Sequence, residues 1–580
     1  MLFKFNIDMK KIILLFLITI VLPIGAQDIP QHISYYKLYD FVDELANSGL
    51  YELNSAVKPY SRTFILEKLL EAQSQSEKLT RRQKAEIAFY LNDLALENNQ
   101  LPRANWHLWK NDKSKAALLA PGIFYKDSLF KARITPALGM NVLNNASGTI
   151  IQRWIGAEFQ ATIGKNVTVF GSLRDLSNNG ERLSGATYLN DQPGYQYKEA
   201  SYGGDFSDSR GGIKLSNRWG SLGFVKDNVV WGDNYHGSNI ISGRTPSYPM
   251  ITLRLQPAKW FEMNYLHAWL VSNQVDSSYY YLENDTRIWY RPANKFMAAN
   301  MFTFTPVKNL KISVGNSIIY AEKTIQGAYL IPIAFYKSID HTLTKGLGTE
   351  NQNSQMFMNI SSRNLKNTHL YTSIFIDEFN FARLLPSNKE ANPISIKAGA
   401  CIANLPIKNL SAIIEYTRTN ILNYKHSIPL ISYTSNSYNI GHYLGDNAKE
   451  IYASLQYKPF RGFDFKLFYT SAQHGNEYDY VRRGTSNGIS GKVDDIISQP
   501  SLGEIIWKNQ TIGIHSTYEI INNGYVFFKA EKSNIESFVP TEAAAFGEKR
   551  MTAATALNYF TPNFFQGNKL TISAGFSFGF

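Results

Sequence analysis

From Leu129 to the last residue the chain alternates apolar and polar side chains with a period of two, and this constrains the fold more than any other feature. Phe130, Ala132, Ile134, Leu138, Met140 and Val142 share one face, while Lys131, Arg133, Thr135, Gly139 and Asn141 share the other. Pro136 interrupts the donors of that segment and predicts a bulge or a strand edge. The pattern recurs in Ile155, Ala157, Phe159, Ala161 and Ile163, turns at Gly164-Lys165-Asn166, and continues through Val167, Val169 and Leu173. Later, Ile451, Ala453, Leu455 and Tyr457 oppose Tyr452, Ser454 and Gln456, and Phe463, Phe465, Leu467 and Tyr469 oppose Asp464, Lys466 and Thr470. Charges keep to one side. A Lys or Arg facing lipid at mid-depth costs about 2–4 kcal/mol, whereas the inside of a large barrel tolerates them.

A soluble sandwich also alternates, so a second regularity is needed to separate the classes. Short turns fall around Pro257, Pro306, Pro406, Pro459 and Pro562, with Asn364-Leu365-Lys366 and Asn522-Asn523-Gly524 between them, and longer polar segments lie in the gaps. Short turns at one rim and long loops at the other mark an outer-membrane barrel. The closing segment, Leu570, Ile572, Ala574, Phe576, Phe578 and Phe580 against Thr571, Ser573, Gly575, Ser577 and Gly579, is similar to the C-terminal assembly signal of such barrels. An aromatic content of 14% is enough for two interfacial girdles. Counting turns gives nine and nineteen segments, which puts Phe580 at the wrong rim, so one strand is miscounted and about 18 is the expectation. The predicted class is an all-β transmembrane fold, a large antiparallel outer-membrane β-barrel, with a small helical bundle ahead of it.

Lys10-Lys11, the apolar run Ile12 to Leu22 and the small-residue exit Gly25-Ala26 form a leader, so 1–26 is expected to be removed during export. Its apolar run is about half the ~20 residues of a spanning helix, and no later stretch reaches that length. Membrane insertion therefore falls to strands. Cys401 is the single cysteine, which excludes intrachain disulfides and leaves it a packing role. The formal net charge is +12. On an exported chain this favours anionic glycans or lipopolysaccharide phosphate over nucleic acid, or it serves solubility alone.

Residues 27–125 read as a periplasmic helical bundle with a linker, ahead of a barrel over 126–580. Leu38, Phe41, Val42 and Leu45 share a helical face before Gly49 and Pro59. Ser61 can cap a second helix carrying Ile65, Leu69 and Ala72. Thr80 with Gln83 forms a capping box for a third, expected to bury Ile87, Ala88, Leu91 and Leu94. Three helices of this size need the support of something larger.

Catalysis has no local signature: the sequence holds no zinc-protease motif, phosphate loop, nucleophile elbow or paired-cysteine metal site. His267 is a conceivable partner for a wall serine, yet a lone His among strand aromatics more often packs. The expectation is no enzyme, no metal and no cofactor. The densest polar and aromatic stretch runs from Trp231 to Pro249, after the hairpin Lys214 to Val230. Trp231, Asp233, Asn234, Tyr235, His236 and Arg244 are the candidate glycan-binding residues. Fixed donors and acceptors beside aromatic faces suit sugar rings, and Arg244 can pair with a carboxylate. The competing reading is that this loop folds in and closes the barrel, with Trp231 and Tyr235 packing and Arg244 satisfying buried carbonyls.

The stretch Trp231 to Leu253, with Trp-Gly, Gly-Ser-Asn-Ile-Ile-Ser, Gly-Arg-Thr-Pro and Tyr-Pro-Met-Ile, resembles the most characteristic segment of the capsule-assembly Wzi family. The resemblance extends more loosely to the mature chain, through Lys58-Pro59-Tyr60-Ser61-Arg62 and the barrel. It implies an eighteen-stranded outer-membrane barrel, plugged on the periplasmic side and closed outside by folded loops. It also implies a lectin-like role in anchoring surface or capsular polysaccharide, anionic ones included. Outer-membrane lipid, lipopolysaccharide and the barrel-assembly machinery, met through the strand ending in Phe580, complete the expected partners. The long loops Ser177 to Ser209 and Gln473 to Lys508 depart from the family pattern. Two other readings stand beside the lectin: a plugged channel or transporter, and a structural accessory of a secretion system.

Overall fold

The two-residue period closes on itself. The structure is a computed structural model that describes residues 28–103, 106–111, 113–180, 183, 198–200, 203–283, 287–344, 351–384, 392–404, 406–426, 428–478, 501–541 and 548–579. The expected leader, 1–26, and Phe580 lie outside the described residues. Eighteen antiparallel strands form a closed barrel in chain order. They are β1 Phe130–Asn145, β2 Gly148–Ile163, β3 Val167–Asn179, β4 Gly203–Asn217, β5 Gly220–Asp227 and β6 Tyr248–Ala258. Next come β7 Phe261–Leu270, β8 Lys295–Val307, β9 Leu310–Tyr320, β10 Gln352–Ser362, β11 Thr368–Ile376 and β12 Ile394–Ala403. The last six are β13 Leu410–Thr419, β14 Ala448–Tyr457, β15 Phe463–Gly475, β16 Ile505–Ile521, β17 Gly524–Ser537 and β18 Gly567–Phe578. Closure is made by β18 on β1, from Ile572↔Asn144 to Phe578↔Leu138.

The two faces differ as the alternation predicts. On β14, Ile451, Leu455 and Tyr457 are exposed while Tyr452, Ser454 and Gln456 are buried. On β18, Leu570 and Ile572 point outward and Thr571 and Ser573 inward. Pro136 leaves no bulge: the β1–β2 ladder keeps one register throughout. On its other side β1 changes partner, and Pro136 falls between Ile134, paired with Ile123, and Leu138, paired with Phe578. Its missing N–H is thus placed where the ladder is already broken.

Eight short turns join β2–β3, β4–β5 and so on to β16–β17, and the ninth expected turn is a correction. Pro562 sits beside the short helical segment Asn563–Phe565 in the long β17–β18 connection, at the opposite rim. Removing it restores an even count and brings β18 down to the short-turn rim. The two long loops also begin later than expected, because β3 runs to Asn179 and β15 to Gly475.

Helices α1 Tyr36–Asn47, α2 Arg62–Gln73 and α3 Arg81–Asp93 fill the short-turn mouth. Ser61 accepts from Phe64 N at 3.1 Å to cap α2, and Thr80 and Gln83 form the reciprocal box on α3. Leu38, Phe41, Val42, Leu45, Ile65, Leu69, Ile87 and Leu94 make the bundle core. Ala88, however, is exposed, and α3 instead buries Arg82, Gln83, Glu86 and Tyr90. Its inner face is polar because it meets an ion-lined wall. Tyr90 donates to Glu519 at 2.8 Å, Arg82 Nε donates to Asn409 at 3.0 Å, and Lys37 Nζ reaches the Gly462 carbonyl at 2.7 Å. Burial alone would raise the Glu44 carboxyl, but Arg82 and Lys458 hold it below the ordinary range. Between bundle and barrel an unexpected piece appears: Trp106–Lys110, Ser114–Leu119 and Gly122–Asp127 form a meander that pairs onto the start of β1.

Candidate functional site

The segment 228–247 leaves the wall early, because β5 stops at Asp227 while its neighbour β4 reaches back to Gly203. It turns into the lumen and descends to the helical domain. Val230 and Trp231 pair with Lys58 and Val57, and Gly232 N donates to the Ala56 carbonyl at 2.7 Å. Gly232 adopts φ +98°, and a Cβ there would stand 2.7 Å from Ser238 Oγ, so only glycine makes this bend.

Beyond the bend the side chains are consumed one after another. Trp231, 2% exposed, meets Phe357 edge-on at 6.0 Å and joins the lumenal apolar cluster. Asp233 N donates to Asn359 Oδ1 at 3.0 Å, Asn359 Nδ2 returns to Asp233 Oδ2 at 2.7 Å, and Ser55 donates to the same carboxylate. Glu415 of β13 accepts from Tyr235 N at 2.7 Å and His236 N at 3.1 Å, and also from Tyr371. Lys397 Nζ lies 2.8 Å from the second Glu415 oxygen. The Tyr235 hydroxyl meets His369 Nδ1 at 3.0 Å and Asn47 Nδ2 at 3.1 Å, and burial pushes its phenol well above the ordinary range. Arg363 spans from the wall to the helical domain, with Nε on Asn47 at 2.7 Å and Nη2 on Asp43 at 3.1 Å. One hydrogen-bonded network thus ties plug, loop and wall across the lumen.

Asn234, His236 and Arg244 remain partly exposed. His236 stacks on Tyr452 at 4.0 Å, with 4° between planes, and its Nε2 lies 3.3 Å from Glu450. The Arg244 guanidinium stands 4.0 Å over the Tyr443 ring and Nη2 donates to the His236 carbonyl at 2.8 Å. Tyr443 donates to Glu450, and burial raises its phenol while it lowers the neighbouring His442 to about 4. Tyr443, His442 and Asp446 come from the long β13–β14 loop, which interlocks with 228–247 through Ser242 N on the Ile440 carbonyl at 2.8 Å.

The six candidates therefore divide into three fixed on plug and wall, Trp231 and Asp233 buried and Tyr235 half-buried, and a partly open trio, Asn234, His236 and Arg244. Missed from the sequence were Glu415, Lys397, His369, Arg363, Glu450 and Tyr443. Five of these are ionisable groups on or bordering lumen-facing strand positions, and that placement was the available signal. His267, weighed as a catalytic partner, is fully buried with Nε2 2.7 Å from the Tyr320 hydroxyl, among Trp269 and Phe296. Below the loop, a cavity of about 900 Å³ lies between the helical domain and the wall from β4 to β9, bounded by Tyr60, Phe64, Trp219 and Trp260.

The profile of the capsule assembly protein Wzi family matches residues 155–501, which contain this entire loop and most of the wall. The chain belongs to the Wzi capsule-assembly family. None of the curated proteins compared with it matches. Among solved structures, it is similar to Wzi of Escherichia coli, described as an outer-membrane carbohydrate-binding β-barrel involved in group 1 capsule assembly. The TM-score is 0.52 at 10% identity, covering 96% of this chain and 100% of that one. Two other barrels, OccK8 (OprE) of Pseudomonas aeruginosa and OccAB4 of Acinetobacter baumannii, give TM-scores of 0.41 and 0.39 at 9% identity. They cover 77% and 78% of this chain and 97% and 98% of theirs. At 10% identity what is shared with the Escherichia coli Wzi is the fold. The family, the closed eighteen-stranded wall and its apolar belt make this chain an outer-membrane β-barrel.

Proposed function

We propose that this Wzi-family barrel is a non-enzymatic lectin that holds surface or capsular polysaccharide at the cell exterior. The observation that carries the reading is the partly open cluster of Asn234, His236, Arg244 and Tyr443 inside the family-matched segment. Arg244 offers a planar, permanently charged donor set for a sugar carboxylate or a vicinal hydroxyl pair, and His236 and Asn234 add donors and acceptors. Trp231, Asp233 and Tyr235 act beneath them, fixing the loop on plug and wall rather than stacking on a sugar. Preorganisation of that kind limits the ordering cost of binding.

The same reading divides the chain into a leader over 1–26, a periplasmic part over 27–125 and a membrane part over 126–580. It gives the last strand, closing in Phe580, to the barrel-assembly machinery, and the long-loop rim to lipopolysaccharide. Nucleic acid has no place in it. Titrating the purified full-length barrel with polysaccharide isolated from its own cells tests the reading by calorimetry. The native protein binds, and an Arg244→Ala/His236→Ala double variant binds at least tenfold more weakly with an unchanged melting profile. Equal binding by both proteins removes the cluster from the site, and absence of binding by the native protein removes the lectin.

A further inference from the structure

The two rims of the barrel carry opposite charge characters. Seven of the eight short turns hold a Lys or Arg: Lys165, Arg218, Lys259, Lys308, Lys366, Lys408 and Arg461, besides Arg363 and Lys458, which are buried and pair with Asp43 and Glu44 of the helical domain. None of the eight holds an Asp or Glu. In the long loops at the other rim Asp and Glu outnumber Lys and Arg by 21 to 16. The short-turn rim is therefore the basic edge of the barrel and the long-loop rim the acidic one.

The first six of these cations are exposed, and none of them is in an ion pair among the described residues. Arg461 is half-buried, donating to the Glu519 carbonyl at 3.1 Å and covering Phe89. Their neighbours follow a second rule. Arg218 precedes Trp219 and Lys259 precedes Trp260, while Val307, Leu365, Ile407 and Phe460 each stand directly before a cation. All six apolar side chains are exposed, Trp260 and Leu365 to 60%. An exposed large apolar residue costs free energy in water, and six of them around one rim mark a surface that is not in water. An apolar side chain in hydrocarbon next to a cation at its edge is the arrangement of a residue pair anchored at a headgroup layer.

In an outer-membrane barrel the short turns face the periplasm, so this rim meets the inner leaflet of the bilayer. We propose that the short-turn rim is a collar for anionic phospholipid, with the ring of Lys and Arg binding headgroup phosphates while the adjoining Trp, Phe, Leu, Ile and Val side chains enter the acyl layer. A single cation near an anionic surface contributes about 1 kcal/mol, a factor of about five in local lipid concentration. Several on one rim hold a shell of such lipid around the periplasmic mouth. The collar also borders the 900 Å³ cavity, whose lining includes Arg218, Lys259 and Lys308 with Trp219, Trp260 and Val307, so on the β4–β9 side it meets the cavity mouth as well as the bilayer. This proposal rests on the fold and the charge placement alone and stands independently of glycan binding.

The test uses the full-length barrel in phosphatidylcholine vesicles and compares spin-labelled phosphatidylglycerol with spin-labelled phosphatidylethanolamine by electron spin resonance. The native protein selects phosphatidylglycerol at least about fivefold at low salt, and the selectivity falls as salt screens it. Changing Lys165, Arg218, Lys259, Lys308, Lys366 and Lys408 to Gln abolishes it. A milder Arg218→Gln/Lys259→Gln/Lys308→Gln variant gives an intermediate value and covers the case in which the sixfold variant does not insert. Equal association of both lipids with the native protein overturns the proposal, as does selectivity that is undiminished in the triple variant or in high salt. Lysine-dependent pelleting with purified cell-wall sacculi, without lipid selectivity, overturns it in favour of a cell-wall partner.

Discussion

The outer wall and the lumen of this barrel are built from alternate residues of the same strands, yet they obey different physics. On the wall each apolar side chain acts almost alone: Ile451, Leu455 and Tyr457 meet lipid, and their neighbours along the strand do not decide their fate. In the lumen nothing acts alone. Glu415 is held by Lys397 and Tyr371 and in turn holds the backbone of Tyr235 and His236, from a loop 180 residues earlier. The wall is additive and local, whereas the lumen is cooperative and long-range.

Breaking the lumen network should therefore have the largest effect. Glu415→Ala leaves the fully buried Lys397 without its counter-ion and two loop N–H groups without acceptors, at a cost of about 3–5 kcal/mol. The expected result is a lowered unfolding midpoint in vesicles and new protease cleavage within 228–247. A wall substitution should cost somewhat less and should depend on parity. Leu455→Arg puts a charge in lipid for about 2–4 kcal/mol. Gln456→Arg, one residue on, faces Asp40 and Asp464 and should be close to neutral in the same urea titration. Equal costs for the two would mean that the barrel is not in a bilayer.

A smaller effect concerns pH. Burial raises the carboxyl of Asp446, in the loop that interlocks with 228–247, to about 7 from an ordinary 3.8, against the lowering pull of Lys425. The folded state binds a proton there that the unfolded chain has already lost, so stability declines as pH rises from about 4 to 7. Asp446→Asn should flatten that decline and raise the melting temperature at pH 8 by a few degrees. Smallest of all in stability is Arg244→Ala, within about 1 kcal/mol, since its guanidinium is partly exposed and its contacts, the His236 carbonyl and the face of Tyr443 among them, lie among partly exposed groups.

The same contrast explains what was legible in the sequence. The wall was readable because its rule is local: parity places Leu570 out and Thr571 in. Even the strand miscount traces to one proline, Pro562, which looks like a turn in sequence but lies in a long loop. The bundle was readable where it packs on itself, and failed at Ala88 because α3 turns a polar face to the ion-lined wall. The loop at Trp231 was found by composition, but its division into a trio fixed on plug and wall and a partly open trio was not. That division depends on Glu415, Asn359 and Arg363, which come close only when the barrel closes.

The central claim is that this barrel keeps polysaccharide on the cell. It is tested most directly by measuring surface polysaccharide in the cell-bound and culture-supernatant fractions of a strain lacking the protein. The strain is complemented either with the native chain or with Arg244→Ala/His236→Ala at equal barrel abundance. Deletion should move glycan from cells to supernatant, the native chain should restore it, and the double variant should not. A partition unchanged by deletion would contradict the account.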